Sequence, residues 1–418
     1  MLYTKRLRER WKQPGSSAAL SSLIPGNRVS LLQNGGAYFP AIEAAFDRAR
    51  HEIYLESYIY ENDATGRRIA GALKRAALRG VNVYLLIDGY GSKDLPRRVL
   101  DDLRADGVKP LIFRPKISPW TFRRERLRRM HRKIAVVDRE IAFVGGLNII
   151  NDSETAGALP PRYDYAVAVE GPLVEVIRLS TRRLWSMVAW SRFRRGTVRG
   201  RALPASNFAG GHVNAAFLVR DNFRHRRDIE AAYMRAIEQA SSEILLAHAY
   251  FLPGLNFRRA LINAAGRGVR VVLLLQGRVE YFLQHHASRA LYGTLLDAGI
   301  AIYEYHKSHL HAKVAVIDRH WATVGSSNID PFSLLLSREA NVVVDDEAFA
   351  ETLAKSLEQT IERDGQRILA GNWKQHPVCL RLLSWLSYGL VRLAIGVTGY
   401  VPDNSQSNRS ERRQPVNL

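Results

Sequence analysis

The chain has 418 residues, enough to bury a large core and, at roughly 100–200 residues per domain, to form two or three units. With 46% hydrophobic and 24% charged residues the composition is that of a folded globular protein and excludes a disordered one. Sixty-one Lys and Arg against 40 Asp and Glu give a net charge of +21, which points to a nucleic acid or an anionic bilayer surface as partner, and the single cysteine, Cys379, excludes an intrachain disulfide.

Residues 1–26 form a basic N-terminal segment, "MLYTKRLRERWKQPGSS" at its start, with no apolar run of signal-peptide length behind it. Together with the lone cysteine this predicts a cytoplasmic location. A first unit follows over residues 27–200. "AIEAAFDRARHEIYLESYIY" (41–60) reads as an apolar-periodic helix leading into a strand, and "ALKRAALRGVNVYLLIDGYG" (72–91) as helix, glycine, then a buried strand. Next comes "RPKISPWTFRRERLRRM" (114–130), dense in arginine and read as an anion-attracting rim. It runs directly into "HRKIAVVDREIAFVGGLN" (131–148).

A linker is predicted at 201–211, inside the Gly-, Pro-, Ser- and Arg-rich stretch 191–211, and a strand restarts at 212–219. The second unit, 212–370, repeats the first. "AYMRAIEQASSEILLAHAYF" (232–251) and "ALINAAGRGVRVVLLLQGRV" (260–279) match the two helix–strand segments at offsets of 191 and 188, and "HAKVAVIDRHWATVGSSN" (311–328) matches the motif at 180. The offset is 192 at Gly107/Gly299, so the first copy carries about twelve extra residues before His131. Helices alternating with strands in a duplicated frame predict an α/β fold: two halves, each a mixed sheet flanked by helices, related by a pseudo-twofold with one shared active site. "DDEAFAETLAKSLEQTIERDG" (345–365) reads as the closing helix, stopped by Gly365.

Within residues 371–402, "CLRLLSWLSYGLVRLAIG" (379–396) is mostly apolar, with Arg381, Ser384, Tyr388 and Arg392 at helical spacing on one narrow stripe. Two arginines in eighteen residues make a poor span, so the segment reads as an amphipathic helix lying in a membrane interface, ahead of packing on the domain or spanning. The tail, 403–418, is expected to be disordered.

In each motif the histidine and the lysine two places on share one face of a strand: His131 with Lys133, His311 with Lys313. Asp138 and Asp318 complete the motifs and are counted with the catalytic set. Their odd separation of seven residues turns them to the opposite side, however, which reads better as local capping or pairing. Gly145, Gly146, Gly325 and Ser326 are small enough to let backbone approach a ligand, and Asn148 and Asn328 add amide donors. Arg129 and Arg132 flank His131 as further anion-binding candidates. Two histidines and two lysines suit displacement at a phosphodiester. Lysine and asparagine stabilise charge on the non-bridging oxygens, one imidazole attacks phosphorus, and the other handles the proton. His306 and His309 beside His311 invite a zinc reading, but the first copy has no counterparts, so neither metal nor cofactor is expected.

The two His-x-Lys-x4-Asp motifs, with Gly-Gly-x-Asn and Gly-Ser-x-Asn downstream, resemble those of the phospholipase D superfamily over residues 27–365. "LIDGYGS", "RRMHRKIAVVD", "GGLN", "YDYAVAVEGP", "HWATVGSSNIDP" and "EANVVV" are similar to the bacterial cardiolipin synthases, closest to their type B group, which lacks the N-terminal transmembrane pair of other members. The resemblance implies phosphatidyl transfer from a donor phospholipid, usually phosphatidylglycerol, to the hydroxyl of another, through a phosphohistidine. It also implies that one carboxylate in each half orients its own histidine, a role carried by position to Asp164 and Glu339, 33 and 28 residues beyond the histidines. It makes His131 the nucleophile and His311 the acid/base, and the cations Arg129, Arg132 and Lys133 should keep His131 neutral.

The expected partners are therefore phospholipid substrates and an anionic phospholipid membrane, at the cytoplasmic face of a bacterial cell membrane, with no nucleic acid. The alternative is a phosphodiesterase nuclease using the same histidines; a catalytically silent membrane scaffold is disfavoured by the intact motifs. The arginine-rich stretch would place the lipid-phosphate entrance beside His131.

Overall fold

The computed structural model describes residues 23–115, 128–151, 160–191, 203, 208–221, 225–330, 337–374 and 378–397. Residues 116–127 of the arginine-rich stretch 114–130, residues 1–22 of the basic N-terminal segment, most of the linker and the tail lie outside the described residues.

In the first half the strands are β1 (Ile24–Gln33), β2 (Glu52–Ser57), β3 (Asn82–Asp88), β4 (Lys109–Phe113), β5 (Arg129–Met130), β6 (Ile134–Val137), β7 (Ile141–Gly145) and β8 (Tyr165–Glu170). The second half supplies β9 (Val213–Arg220), β10 (Glu243–His248), β11 (Arg270–Gln276), β12 (Ala301–Tyr305), β13 (Lys313–Ile317), β14 (Trp321–Gly325), β15 (Ser337–Asp345) and β16 (Gly365–Ile368). Their order is β4-β3-β2-β6-β7-β8-β1, then β9-β15-β14-β13-β10-β11-β12-β16. The second series repeats the first in reverse about the antiparallel β1/β9 junction, so the duplication is a pseudo-twofold in the sheet. In each half three strands run parallel (β2-β3-β4, β10-β11-β12) and the motif hairpin joins antiparallel.

Helices close both layers. Asn34–Arg48, Ala64–Leu78 and Arg97–Ala105 pack an apolar core on one face of the first half, and Asp228–Gln239, Leu255–Gly266, Phe282–Arg289 and Tyr292–Asp297 do so on the second. A third core, holding Leu173–Trp190 and Glu347–Asp364, draws residues from both halves. Alternation along β3 shows how: Val83, Leu85 and Ile87 enter the outer core while Tyr84 and Leu86 enter the shared one. Asp63 and Asp346 cap their helices by accepting from Gly66 N (2.7 Å) and Phe349 N (2.9 Å). Gly80 and Gly268, at φ +87° and +92°, make the equivalent left-handed exits from helix into strand.

The sequence reading of helix, glycine and strand matches these elements, while β1, which joins the halves, β4 and β12, the third parallel strand of each half, the two-residue β5 and the edge strand β16 go unread. Helix Val378–Val397 departs further from expectation. It packs on Phe282–Arg289 with Ser384, Ser387 and Val391 buried, while Leu382, Trp385, Leu386, Leu390 and Leu393 are exposed. The Ser384 and Tyr388 stripe, expected to face water, docks on the protein because serine lets two helices approach closely, and the apolar face is turned outward. Among the described residues no helix is long and apolar enough to cross a membrane.

Candidate active site

Both motifs sit where the parallel strands end. Asp88 and Gln276 are the last residues of β3 and β11, Gly145 and Gly325 of β7 and β14, and Lys313 the first of β13. Ligands gather at carboxyl ends of strands in α/β sheets because loops there can point several side chains at one spot. Each histidine lies at the break before its motif strand and is held by the other half: His131 N donates to Arg338 O (2.9 Å), and His311 N to Tyr163 O (2.8 Å). In the same way β5 runs parallel to β15, and Leu310 bridges to Tyr163.

This exchange decides the carboxylate partners. His131 Nδ1 lies 3.0 and 3.1 Å from the Glu339 carboxylate oxygens, and His311 Nδ1 2.5 Å from Asp164 Oδ2. The expectation that each carboxylate orients the histidine of its own half is thereby corrected: each serves the other half. Sequence separation could not reveal this, since it follows from how the halves dock. Donation from Nδ1–H fixes the tautomer and leaves the Nε2 lone pair for chemistry.

Lys133 Nζ donates to His131 O (2.7 Å), and Lys313 Nζ makes the same bond to His311 O. Both lysines, both carboxylates and His311 are buried, and His131 nearly so. Burial lowers the pKa of both histidines; Lys133 and Lys313 push the same way, opposed at His131 by Glu339. Lys313 falls to about 8 and Lys133 well below the usual lysine range, again by burial, partly offset by the carboxylates. Burial raises Asp164 to about 6 against the pull of Lys313. Burial thus favours two neutral imidazoles, set among two buried lysines and two buried carboxylates. A phosphodiester anion added to such a site favours uptake of one proton, giving one imidazole and one imidazolium.

Several expected contributors are placed elsewhere. Asp138 accepts from Arg50, His51 and Glu52 N (2.9, 2.8 and 2.8 Å), and Asp318 from Ser241, Ser242 and Glu243 N (2.8, 2.8 and 2.9 Å). Counting them as catalytic is corrected. They tie the far end of each motif hairpin to the start of β2 or β10, at positive φ of 53° and 51°. Arg132 turns away from His131, as neighbours on an extended chain must, and its guanidinium pairs with buried Glu56 (2.8 Å) and donates to Ser180 Oγ (3.1 Å). It is not a phosphate ligand, and the depression of His131 comes from burial and the two lysines instead. Arg129 stacks over Tyr90 (5.1 Å) and lies 4.0 Å from Asp88, whose carboxylate accepts from Met130 N.

The small residues leave room for neighbouring protein groups. A Cβ on Gly146 would strike the Asp164 carboxylate, and one on Gly145 would strike β8. At the matching places a Cβ on Gly325 would strike Asn341, while Ser326 Oγ donates to Glu339 Oε2 (2.6 Å). Asn148 Oδ1 accepts from Ile59 N (3.1 Å), anchoring the loop after β2; buried Asn328 Oδ1 has no hydrogen-bond partner among the described residues. His309 Nδ1 lies 3.0 Å from Gln276 Nε2, and His306 Nε2 3.3 Å from Glu304.

Residues not singled out from the sequence complete the walls. Tyr58 sets its ring edge-on to His131 (4.7 Å between centroids) and 5.2 Å from Lys133 Nζ. Asp88 and Gln276 occupy equivalent positions and accept from equivalent amides, Met130 N (2.9 Å) and Leu310 N (3.1 Å). Their signal was present: "LLID" and "LLLQ" align once the 188-residue offset is applied.

The family described as "Cardiolipin synthase, PLD-like domain" matches the chain at residues 42–178 and 233–361. Cardiolipin synthase B of Shigella flexneri and that of Escherichia coli (strain K12) are each 40% identical over 344 residues, 82% of either chain. A cardiolipin synthase of Geobacillus thermodenitrificans is 30% identical over 367 residues, 86% of this chain and 71% of its own. Among solved structures, the phosphatidylserine synthase of Haemophilus influenzae superposes with a TM-score of 0.64 over 95% of this chain and 100% of its own, at 12% identity, a likeness of fold alone.

Proposed function

The chain belongs to the family of cardiolipin synthases with a phospholipase D-like domain, and from that premise we propose that it transfers a phosphatidyl group from phosphatidylglycerol to the hydroxyl of a second phosphatidylglycerol, releasing glycerol. The observation that carries the chemistry is the crossed pairing of His131 with Glu339 and His311 with Asp164 around Lys133 and Lys313. His131 Nε2 attacks phosphorus, the bond to the glycerol oxygen breaks, and His311 supplies the proton that leaves with it. The phosphatidyl group then rests on His131. His311, now neutral, takes the proton from the incoming hydroxyl, whose oxygen attacks phosphorus and returns His131 to its starting state. Lys133 and Lys313 neutralise the charge that grows on the non-bridging oxygens, and being buried they act where the dielectric is low.

Purified protein on phosphatidylglycerol vesicles is expected to yield cardiolipin and an equal amount of glycerol. Absence of both, with cleavage of single-stranded DNA instead, would sink the lipid reading in favour of the nuclease.

The outward face of Val378–Val397 is the proposed membrane contact. Its Leu382, Trp385, Leu386, Leu390 and Leu393 form one apolar stripe, and the chain's net charge of +21 complements an anionic bilayer. Burying one leucine is worth about 1.5–3 kcal/mol, so Leu386→Asp with Leu390→Asp should weaken sedimentation with anionic vesicles by about ten-fold or more. Binding at wild-type strength would remove this helix from the contact.

A further inference from the structure

The two half-sites agree in their histidines and lysines but differ in their walls. One residue beyond β2 stands Tyr58, whose ring closes on His131; one residue beyond β10 the equivalent is Ala249. The equivalence is fixed by the matching bridges two residues on, Tyr60 to Ile149 and Phe251 to Ile329. Where the first half has an aromatic ring, the second has a methyl group. Beside Ala249, whose N–H donates to Ala312 O (3.0 Å) next to His311, lies a shallow cleft open to solvent and lined also by Tyr250, Gln276, Glu280 and Tyr281.

Glu280 is the unusual group there. It does not orient a histidine, since Glu339 and Asp164 do that. Its Oε2 accepts from the Tyr250 hydroxyl (2.5 Å), and its Oε1 lies 3.8 Å from Arg162. Burial pushes its carboxyl up, yet Tyr250, Arg162 and His311 more than offset this, leaving it ionised at neutral pH. An ionised carboxylate repels a phosphate anion but is the strongest acceptor a protein can offer to a hydroxyl. The in-line geometry of displacement puts the departing and the entering oxygen at the same place, opposite His131 and next to His311. In the proposed reaction both oxygens belong to glycerol head groups.

We propose that the cleft beside His311 is the subsite for the glycerol head group, with Glu280 accepting a hydrogen bond from the hydroxyl next to the reacting one and Ala249 providing the room. This rests on the phosphatidyl-transfer reading. It assigns the asymmetry a purpose: the walled side carries the phosphatidyl group on His131, and the open side admits first the leaving and then the entering diol.

The test is a competition between acceptors on phosphatidylglycerol vesicles, with isotopically labelled glycerol and propan-1-ol supplied together, and labelled phosphatidylglycerol and phosphatidylpropanol both measured. Propanol has one hydroxyl and nothing to offer Glu280. Glu280→Gln is expected to lower the ratio of glycerol to propanol product by about ten-fold, the usual worth of a hydrogen bond to a charged group. Tyr250→Phe, which removes a partner of Glu280 while keeping the ring, should shift the ratio the same way by less. Ala249→Tyr should raise the KM for labelled glycerol while leaving the rate of hydrolysis by water, read as phosphatidic acid, less affected. Equal loss with both alcohols in Glu280→Gln would show that Glu280 only tunes His311 and would overturn the subsite. Wild-type protein that makes no phosphatidyl alcohol at all would instead overturn the transfer reading on which the subsite stands.

Discussion

Alanine at His131 should lower phosphatidyl transfer by more than about 10⁴-fold, because general acid–base help alone accounts for about 10²–10⁴ and the nucleophile is lost as well. Transfer rate alone does not separate the two histidines, since His311→Ala also stops turnover. An activated substrate does. A p-nitrophenyl ester of phosphatidic acid releases nitrophenolate without needing a proton, so the first step then depends on His131 and not on His311. His311→Ala should give a burst of nitrophenolate equal to the enzyme present and leave acid-labile phosphatidyl label on the protein, while His131→Ala should give neither. The opposite pattern would exchange the roles. Tyr58 adds a structural reason for the assignment, as its ring packs edge-on against the His131 imidazole and helps hold it in place.

What the sequence could reveal and what it could not divide along one physical line. Spacing within a strand or between copies is local information. It carried the histidine–lysine pairs, the helix–glycine–strand units and the duplicated α/β frame, and the odd spacing of Asp138 and Asp318 already turned them away from the site. The order of strands about the β1/β9 junction completes that reading, since one half is the other run backwards. Which carboxylate meets which histidine is different. It depends on β15 lying beside β5 and Tyr163 beside Leu310, contacts more than 140 residues apart that no periodicity encodes. The resemblance supplied Asp164 and Glu339 as candidates but paired them within halves. Arg132 shows the converse failure: a positive charge next to His131 in sequence suggested a phosphate ligand, although the alternation used for His131 and Lys133 already sends it to the other side, to Glu56. The apolar face of Val378–Val397 was legible from periodicity, but not that its serine stripe would be the side to meet the protein.

The crossed pairing makes a second prediction of large effect, and one that a within-half pairing contradicts. Glu339 lies in the second half of the sequence, yet Glu339→Gln should behave as a defect of His131. The neutral amide keeps the Ser326 contact and the shape of the site while removing the charge that orients and polarises the imidazole. In serine-protease triads the corresponding change of carboxylate to amide costs about 10⁴ in kcat, through the wrong tautomer of the histidine. With the p-nitrophenyl ester, Glu339→Gln should therefore slow the nitrophenolate burst by about 10³–10⁴-fold. Asp164→Asn, in the first half, should leave the burst and slow only the later release of the phosphatidyl group, because its partner is His311. A burst lost in Asp164→Asn and kept in Glu339→Gln would mean that each carboxylate serves its own half. The two halves would then be separable units, whereas crossed pairing makes each incomplete without the other: neither histidine is oriented until both halves have folded against one another.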